Sequence, residues 1–227
     1  MIASRRLTAG MLAVAALAAM GMMKNWVTEI ERTDASHIVG NPQAETTLTE
    51  FVSYTCPACG NFSRQGEEVM KLGYVGPGKA KLEIRHVQRN VVDVAASLLA
   101  WCGPKEKFLQ NHAALMWQQE KWLTKARQST PAQQQRWFTG TETARYKAIA
   151  SDLGLYELFL GRGYSRPDLD RCLSDTALAA KFRESTVADG ERFNVRATPS
   201  FALDGQMLSG VTGWSTLESR LNEAVKP

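Results

Sequence analysis

Hydrophobic and polar positions change their period along the chain, and those changes mark its elements. Thr46–Tyr54 is predicted as a strand, because Leu48 to Tyr54 has the β-branched and aromatic content of one. From Cys59 the apolar residues fall at Cys59, Phe62, Val69 and Met70, a helical stripe that predicts a helix over about Pro57–Leu72. Gly73, Gly76, Pro77 and Gly78 then break the chain before a second strand, Ala80–Val87, in which Leu82, Ile84 and His86 share a face. Strand, helix and strand with a glycine-rich return make a βαβ unit, so the two strands should be parallel and the crossover right-handed. Upstream, Lys24 to Glu45 reads as an irregular lead-in with a turn at Gly40-Asn41-Pro42.

From Val91 to about Gly190 the period is helical. Val94, Leu98, Leu99 and Cys102 are so spaced, as are Phe108, Leu109, His112, Leu115 and Met116. Further helical patches cover Ala132–Phe138, Thr143–Leu153, Asp168–Leu173 and Thr176–Ala188, with glycine and proline between them and no internal repeat. Trp101, Trp117, Trp122 and Trp137 are expected to form the core of this block, and the alternative is a lining for an apolar groove near Cys56. His86 and His112 are expected to pack on strand and helix faces. Beta character returns at Thr198–Leu203, turns at Asp204-Gly205 and continues over Gln206–Val211. A last helix follows Gly213, with Leu217, Leu221 and Val225 on one stripe. The expected fold is α/β: a β-α-β piece (residues 24–90) and a β-β-α piece (191–227) share one mixed sheet, and the helical block (91–190) is inserted between them.

Composition adds a compartment. Arg5 and Arg6 precede an uncharged run, Leu7 to Met23, so residues 1–23 read as an export signal with small residues suited to cleavage. The alternative is an uncleaved anchor over residues 7–23, near the lower limit of about 17–25 residues for a span. Either way the rest of the chain faces an exported, oxidising space, and four cysteines suit disulfides there. The chain of 227 residues carries a formal charge of +4; without the two leader arginines, 27 − 2 = 25 basic residues face 23 acidic ones. No basic run interleaves with aromatics, so no nucleic-acid partner is expected.

The candidate chemistry lies where the first strand hands over to its helix. Cys56 sits at that junction and Pro57 suits the first helical position, which needs no N–H. Free amides and the positive helix end face the sulfur, so Cys56 should ionise well below about 8.5. Cys59, one turn on and facing inward, can close a disulfide with it. A C-x-x-C pair also occurs in zinc sites, but Cys102 and Cys172 are isolated and His37, His86 and His112 are in no ligand-spaced motif, so no metal is expected. Cys102 and Cys172 flank most of the helical block. A bridge between them would close about 70 residues and stabilise by roughly 4 kcal/mol on the chain-entropy account; two free buried thiols are the alternative.

Glu50-Phe51-x-Ser53-x-x-Cys56-Pro57-x-Cys59 resembles the active-site stretch of the DsbA-like thiol–disulfide oxidoreductases, which have a thioredoxin fold. Ala197-Thr198-Pro199-Ser200-Phe201 is similar to the family's cis-proline loop. The resemblance covers about residues 40 to 225 and implies a thioredoxin fold with a large inserted helical domain. It also implies roles: Cys56 as the exposed nucleophile, Cys59 as its buried partner, Glu50 as a buried proton relay beneath them, and Pro199 as a cis-proline packed over the disulfide. Pro57, Ala58 and Thr198 would meet the substrate peptide. The resemblance implies no cofactor. Its implied partners are reduced secreted client proteins and either a DsbB-like quinone-coupled membrane protein or a membrane thiol reductant, with the enzyme a monomer.

Two departures bear on the direction of electron flow. Ala58 stands where the strongest oxidants of the family carry histidine, so the disulfide should be less oxidising. Thr198, rather than valine, precedes the proline, as in related isomerases and reductases. The alternative functions are therefore a disulfide reductase or isomerase and, outside this chemistry, a non-catalytic chaperone or metal-handling thiol protein.

Overall fold

The computed structural model describes residues 24–211 and 213–225; the expected leader, residues 1–23, lies outside the described residues. Six strands, β1 (Ile30–Arg32), β2 (Ser36–Gly40), β3 (Thr46–Val52), β4 (Ala80–His86), β5 (Ser200–Leu203) and β6 (Gln206–Met207), form one mixed sheet in the order β1-β2-β4-β3-β5-β6. β3 is central and runs parallel to β4, as the βαβ reading requires, with Glu50 opposite Ile84. Its other neighbour, β5, is antiparallel and sets Phe201 against Glu50. Because both faces of β3 are covered, every residue in it but Thr47 is buried. β4 alternates, with Leu82, Ile84 and His86 inside.

The lead-in is a correction to the sequence reading. Lys24–Glu45 is not irregular: Trp26–Thr28 is a 3-10 turn, and β1 and β2 form a hairpin that adds two strands beside β4. Both strands are short and one reads Ile-Glu-Arg, so their order comes from pairing with β4 rather than from local preference. At the far edge, Asp204 (φ 49) and Gly205 (φ 81) make the expected tight turn, whose two central residues need positive φ. β6 is shorter than expected; the last rung is the Leu208 N–H on the Phe201 carbonyl at 2.8 Å.

The helix after β3 begins as α1 (Pro57–Phe62) and passes through a π turn (Ser63–Glu67) into α2 (Glu68–Met70) and a second π turn (Lys71–Val75). It lies on the sheet face that carries Glu50 and Phe201, where Phe62 packs on Phe201 with ring centroids 4.8 Å apart. Val69, placed on the apolar stripe by spacing, is 46% exposed, whereas Met70 is buried.

The helical block comprises α3 (Val91–Ala100), α4 (Phe108–Trp117), α5 (Gln119–Arg127), α6 (Pro131–Phe138), α7 (Glu142–Asp152), α8 (Leu155–Leu160), α9 (Arg166–Cys172) and α10 (Thr176–Arg192). Its apolar interior is continuous with that of the sheet. α10 returns to the opposite sheet face, where the Arg85 guanidinium lies 2.8 Å from Asp189 and donates to Ser185 at 3.1 Å. Trp101, Trp122 and Trp137 are buried as expected, but Trp117 is 51% exposed because it ends α4 on the solvent side. α11 (Trp214–Ala224) closes the chain with Leu217 and Leu221 buried. Among the described residues no helix is long and apolar enough to cross a membrane.

Cys102, just past α3, and Cys172, the end of α9, are joined by a disulfide with Cα atoms 5.5 Å apart across 70 residues of chain. Replacing both with alanine is expected to lower stability by about 4 kcal/mol through the freed unfolded chain. Urea unfolding of the oxidised protein and of the double variant measures this, and equal midpoints would contradict it.

Candidate active site

β3 ends at Val52, and four residues later Cys56 caps α1 with extended backbone (φ −92°, ψ 113°) and Pro57 in the first turn. The intervening turn is held from the helical block. Asp93, third in α3 and buried, accepts hydrogen bonds from the Ser53 hydroxyl (2.8 Å), the Thr55 amide (2.9 Å), the Thr55 hydroxyl (2.8 Å) and the Arg89 amide (3.0 Å). Gln119, at the start of α5, donates its side-chain amide to the carbonyls of Tyr54 (2.7 Å) and Cys56 (2.8 Å). A Cβ on Gly60 would lie 2.3 Å from the Gln119 oxygen, which is why the helix carries glycine there. Two side chains remote in sequence thus fix the loop that presents the sulfur.

Both thiols are free. Cys59 is fully buried, and burial pushes its thiol far above the ordinary range. Cys56 ionises at about 5: a hydrogen bond from the Cys59 thiol lowers it most, against its own burial, followed by the Thr198 side chain and the amides of Cys59 and Ala58. The helix-head amides therefore act as expected but rank behind the neighbouring thiol. As a thiol, Cys56 Sγ donates to the Thr198 carbonyl at 3.0 Å.

Cys56 was expected to be exposed, yet it is 7% exposed. The loop before β5 covers it, and Thr198–Pro199 in that loop is a cis peptide, as the resemblance implied. The β3–β5 register, Phe51 opposite Ser200, carries the loop to the end of β3. Access is through a pocket of about 300 Å³ lined by Cys56, Val87, Arg89, Val195, Arg196 and Thr198 among others. Pro57 and Ala58, the next two residues, are exposed.

Glu50 is buried in β3, and its Oε2 has no hydrogen-bond partner among the described residues. Burial raises its carboxyl well above the ordinary range, the nearby Glu67 adds to the rise, and Lys71 opposes it. Glu67, also buried, is held down to about 2: burial opposes its charge but is outweighed by His112, Lys71 and the Ser63 hydroxyl. His112 Nε2 lies 3.3 Å from Glu67 Oε2, Lys71 Nζ lies 3.3 Å from Oε1, and Ser63 donates at 2.6 Å. Tyr54 reaches His112 Nδ1 at 3.0 Å. His86 packs among Tyr54, Phe108 and Phe182. The neighbourhood thus holds one buried carboxyl pushed toward its protonated form, Glu50, beside one held toward its ionised form, Glu67.

Spacing pointed to Cys56 and Cys59 and the resemblance to Glu50 and the 198–199 loop, and the structure brings these together; Cys102 and Cys172 lie apart, in their own bridge. Asp93, Gln119 and Glu67 escaped the sequence reading. Signals existed for two of them. Asn90 opens a helix three residues before Asp93 and caps it, and Glu67 falls on the inward stripe of its helix, eight residues after Cys59.

The Cys56 shift carries a stability prediction. Its folded value of about 5 lies below the ordinary 9.0, so its contribution is complete above about pH 9 and is lost as pH falls through about 5. Cys59, shifted upward, opposes this only as pH rises above 9.0. Between these limits the dithiol protein should gain stability over Cys56→Ser as pH rises. Urea midpoints of both proteins under reducing conditions measure the difference, and a gap that does not change with pH would contradict it.

A thioredoxin family model matches residues 32–223. A provisionally named protein-disulfide oxidoreductase of Rickettsia conorii is 24% identical over 196 residues, covering 85% of this chain and 61% of the relative. Its counterpart in Rickettsia prowazekii is 26% identical over 175 residues, covering 76% and 55%. The chain therefore spans little more than half the length of the curated relatives it matches. A solved protein-disulfide isomerase from Novosphingobium aromaticivorans is 41% identical with a TM-score of 0.82, covering 86% of this chain and 100% of that one. Wolbachia pipientis alpha-DsbA1 shares the fold at 19% identity and a TM-score of 0.61, covering 82% and 88%. With a thioredoxin family model matched along most of its length, a 41% identical solved relative covered from end to end and a paired-thiol site at the head of a helix, the chain belongs to the thioredoxin family.

Proposed function

We propose that this chain is an exported thiol:disulfide oxidoreductase that forms or exchanges disulfides in client proteins through Cys56 and Cys59. The observation that carries the reading is the opposed pair of thiols, Cys56 ionising at about 5 beside a buried Cys59 pushed far upward. In the oxidising direction a client thiolate attacks Cys56 Sγ of the enzyme disulfide. The S–S bond to Cys59 breaks, and Cys59 leaves with the electron pair and takes a proton relayed by Glu50. A second client thiolate then attacks the client sulfur of the mixed disulfide, and Cys56 leaves as a stable thiolate. Two client thiols are oxidised and the enzyme disulfide is reduced. Pro199 packs over the reacting sulfurs, and Thr198, Pro57 and Ala58 meet the client backbone.

The proposed setting is the periplasm, with residues 1–23 as the signal or residues 7–23 as an anchor, and with the enzyme a monomer. A quinone-coupled membrane protein of the DsbB kind would reoxidise it. The second reading, a reductase or isomerase kept reduced by a membrane thiol donor, is favoured by Thr198 before the proline and by the isomerase name of the 41% identical structure.

The reduction potential against glutathione separates the oxidase from the reductase. A Cys56 thiolate of intermediate stability should give a value between about −270 mV, as in thioredoxin, and about −120 mV, as in DsbA. A value at or below the lower figure would remove the oxidase reading and leave the reductase.

A further inference from the structure

We infer that the client segments this enzyme prefers carry acidic residues beside the reacting cysteine, and that Arg89, Arg196 and Arg145 select them; the inference rests on the oxidoreductase reading above. The pocket that opens onto Cys56 is lined by Arg89 and Arg196 and by no acidic residue. Arg196 is occupied only by a neutral partner, the Asn194 side chain at 2.7 Å. Neither guanidinium is in an ion pair among the described residues. Asp93, buried and bonded to the Arg89 amide, already accepts four hydrogen bonds in all.

Arg89 also lines a second cavity, of about 290 Å³, together with Arg145, Arg183 and Glu142. Glu142 is taken by Arg183 at 3.2 Å, and Arg145 donates only to the Gly140 carbonyl at 3.1 Å. The two cavities share Arg89, and the three unneutralised charges along them are all positive. This is not a general surplus, because the chain without its two leader arginines has 25 basic and 23 acidic residues. A small acidic thiol would fill the first cavity and leave Arg145 without a role. A polypeptide with carboxylates on both sides of its cysteine uses both. Opposite charge raises encounter rates and fixes the segment in register.

The test uses the oxidised full-length enzyme and three reduced peptides, identical except that the residues flanking one cysteine are Glu, Gln or Lys, with glutathione as a fourth thiol. Each rate of disulfide exchange is divided by that thiol's rate with a small neutral disulfide, which removes differences in thiol acidity. The Glu peptide should exceed the Lys peptide by about tenfold at low salt. That ratio should collapse toward unity at high salt and in R89Q/R196Q, each variant judged by its own Gln peptide. R145Q should slow the Glu peptide and leave glutathione unchanged. Equal rates for the Glu and Lys peptides, with the Gln peptide reacting normally, would overturn the inference and spare the function. A glutathione rate that shares the whole arginine dependence would replace the polypeptide by a small thiol. No reaction with any thiol would remove both the inference and the oxidoreductase reading.

Discussion

Cys56→Ser is expected to abolish disulfide exchange, with turnover falling by a factor on the order of 10³ or more. A serine hydroxyl offers no anion near neutral pH and no sulfur to share in a mixed disulfide. Cys59→Ser behaves differently. Its Cys56 can still be joined to a client, but no neighbouring sulfur remains to release it, so the covalent adduct should accumulate. Insulin reduction reads the first loss and intact mass of the enzyme–client adduct reads the second. A Cys56→Ser protein that still turned over clients would leave only a chaperone-type role, one that does not need the sulfur.

Asp93→Ala is expected to give the largest loss of stability from any single side chain near the site, about 3 kcal/mol or more. The carboxylate is buried and receives four donors. Burial raises its pKa, and the hydrogen bonds from Thr55, Ser53 and the Arg89 amide act against that rise. Removing it leaves the Arg89 amide without its acceptor and the Thr55 amide with only the Ser53 hydroxyl at 3.2 Å, while the Ser53 and Thr55 hydroxyls, 3.2 Å apart, can turn to each other. The turn that positions Cys56 then loses its tie to α3, so the Cys56 titration midpoint should rise along with the loss of stability. Asp93→Asn, with one acceptor in place of two, should fall between. Urea unfolding together with a Cys56 titration measures both effects. A loss under about 1 kcal/mol with an unmoved midpoint would mean that the turn is held by something else.

The parts of this site that could be read from the sequence are those that local physics dictates. A strand period giving way to a helical one, with Cys-Pro at the join, placed Cys56, and the alternation in β4 placed Leu82, Ile84 and His86 inward. The Asp204-Gly205 turn is equally local. What could not be read depends on partners far along the chain. Gln119 meets Cys56 across 63 residues with no local pattern to announce it, and Asp93 meets Ser53 across 40, where the Asn90 cap marks the helix start but not the partner. β1 and β2 are strands because β4 offers them an edge. The covering of Cys56 likewise comes from the 198–199 loop, whose approach is set by the β3–β5 register. Glu67 is the instructive case: a glutamate on an apolar stripe reads as an interruption until His112 and Lys71 are seen on either side of it.

Titration of Cys56 in the reduced protein tests the account at its root. The thiolate absorbance of the dithiol form, corrected with Cys56→Ser, should rise with a midpoint near 5, and Cys59 should stay protonated throughout the neutral range. A midpoint near the ordinary 9.0 would mean that neither the partner thiol nor the helix head holds this sulfur as an anion, and the proposed chemistry would lose its leaving group.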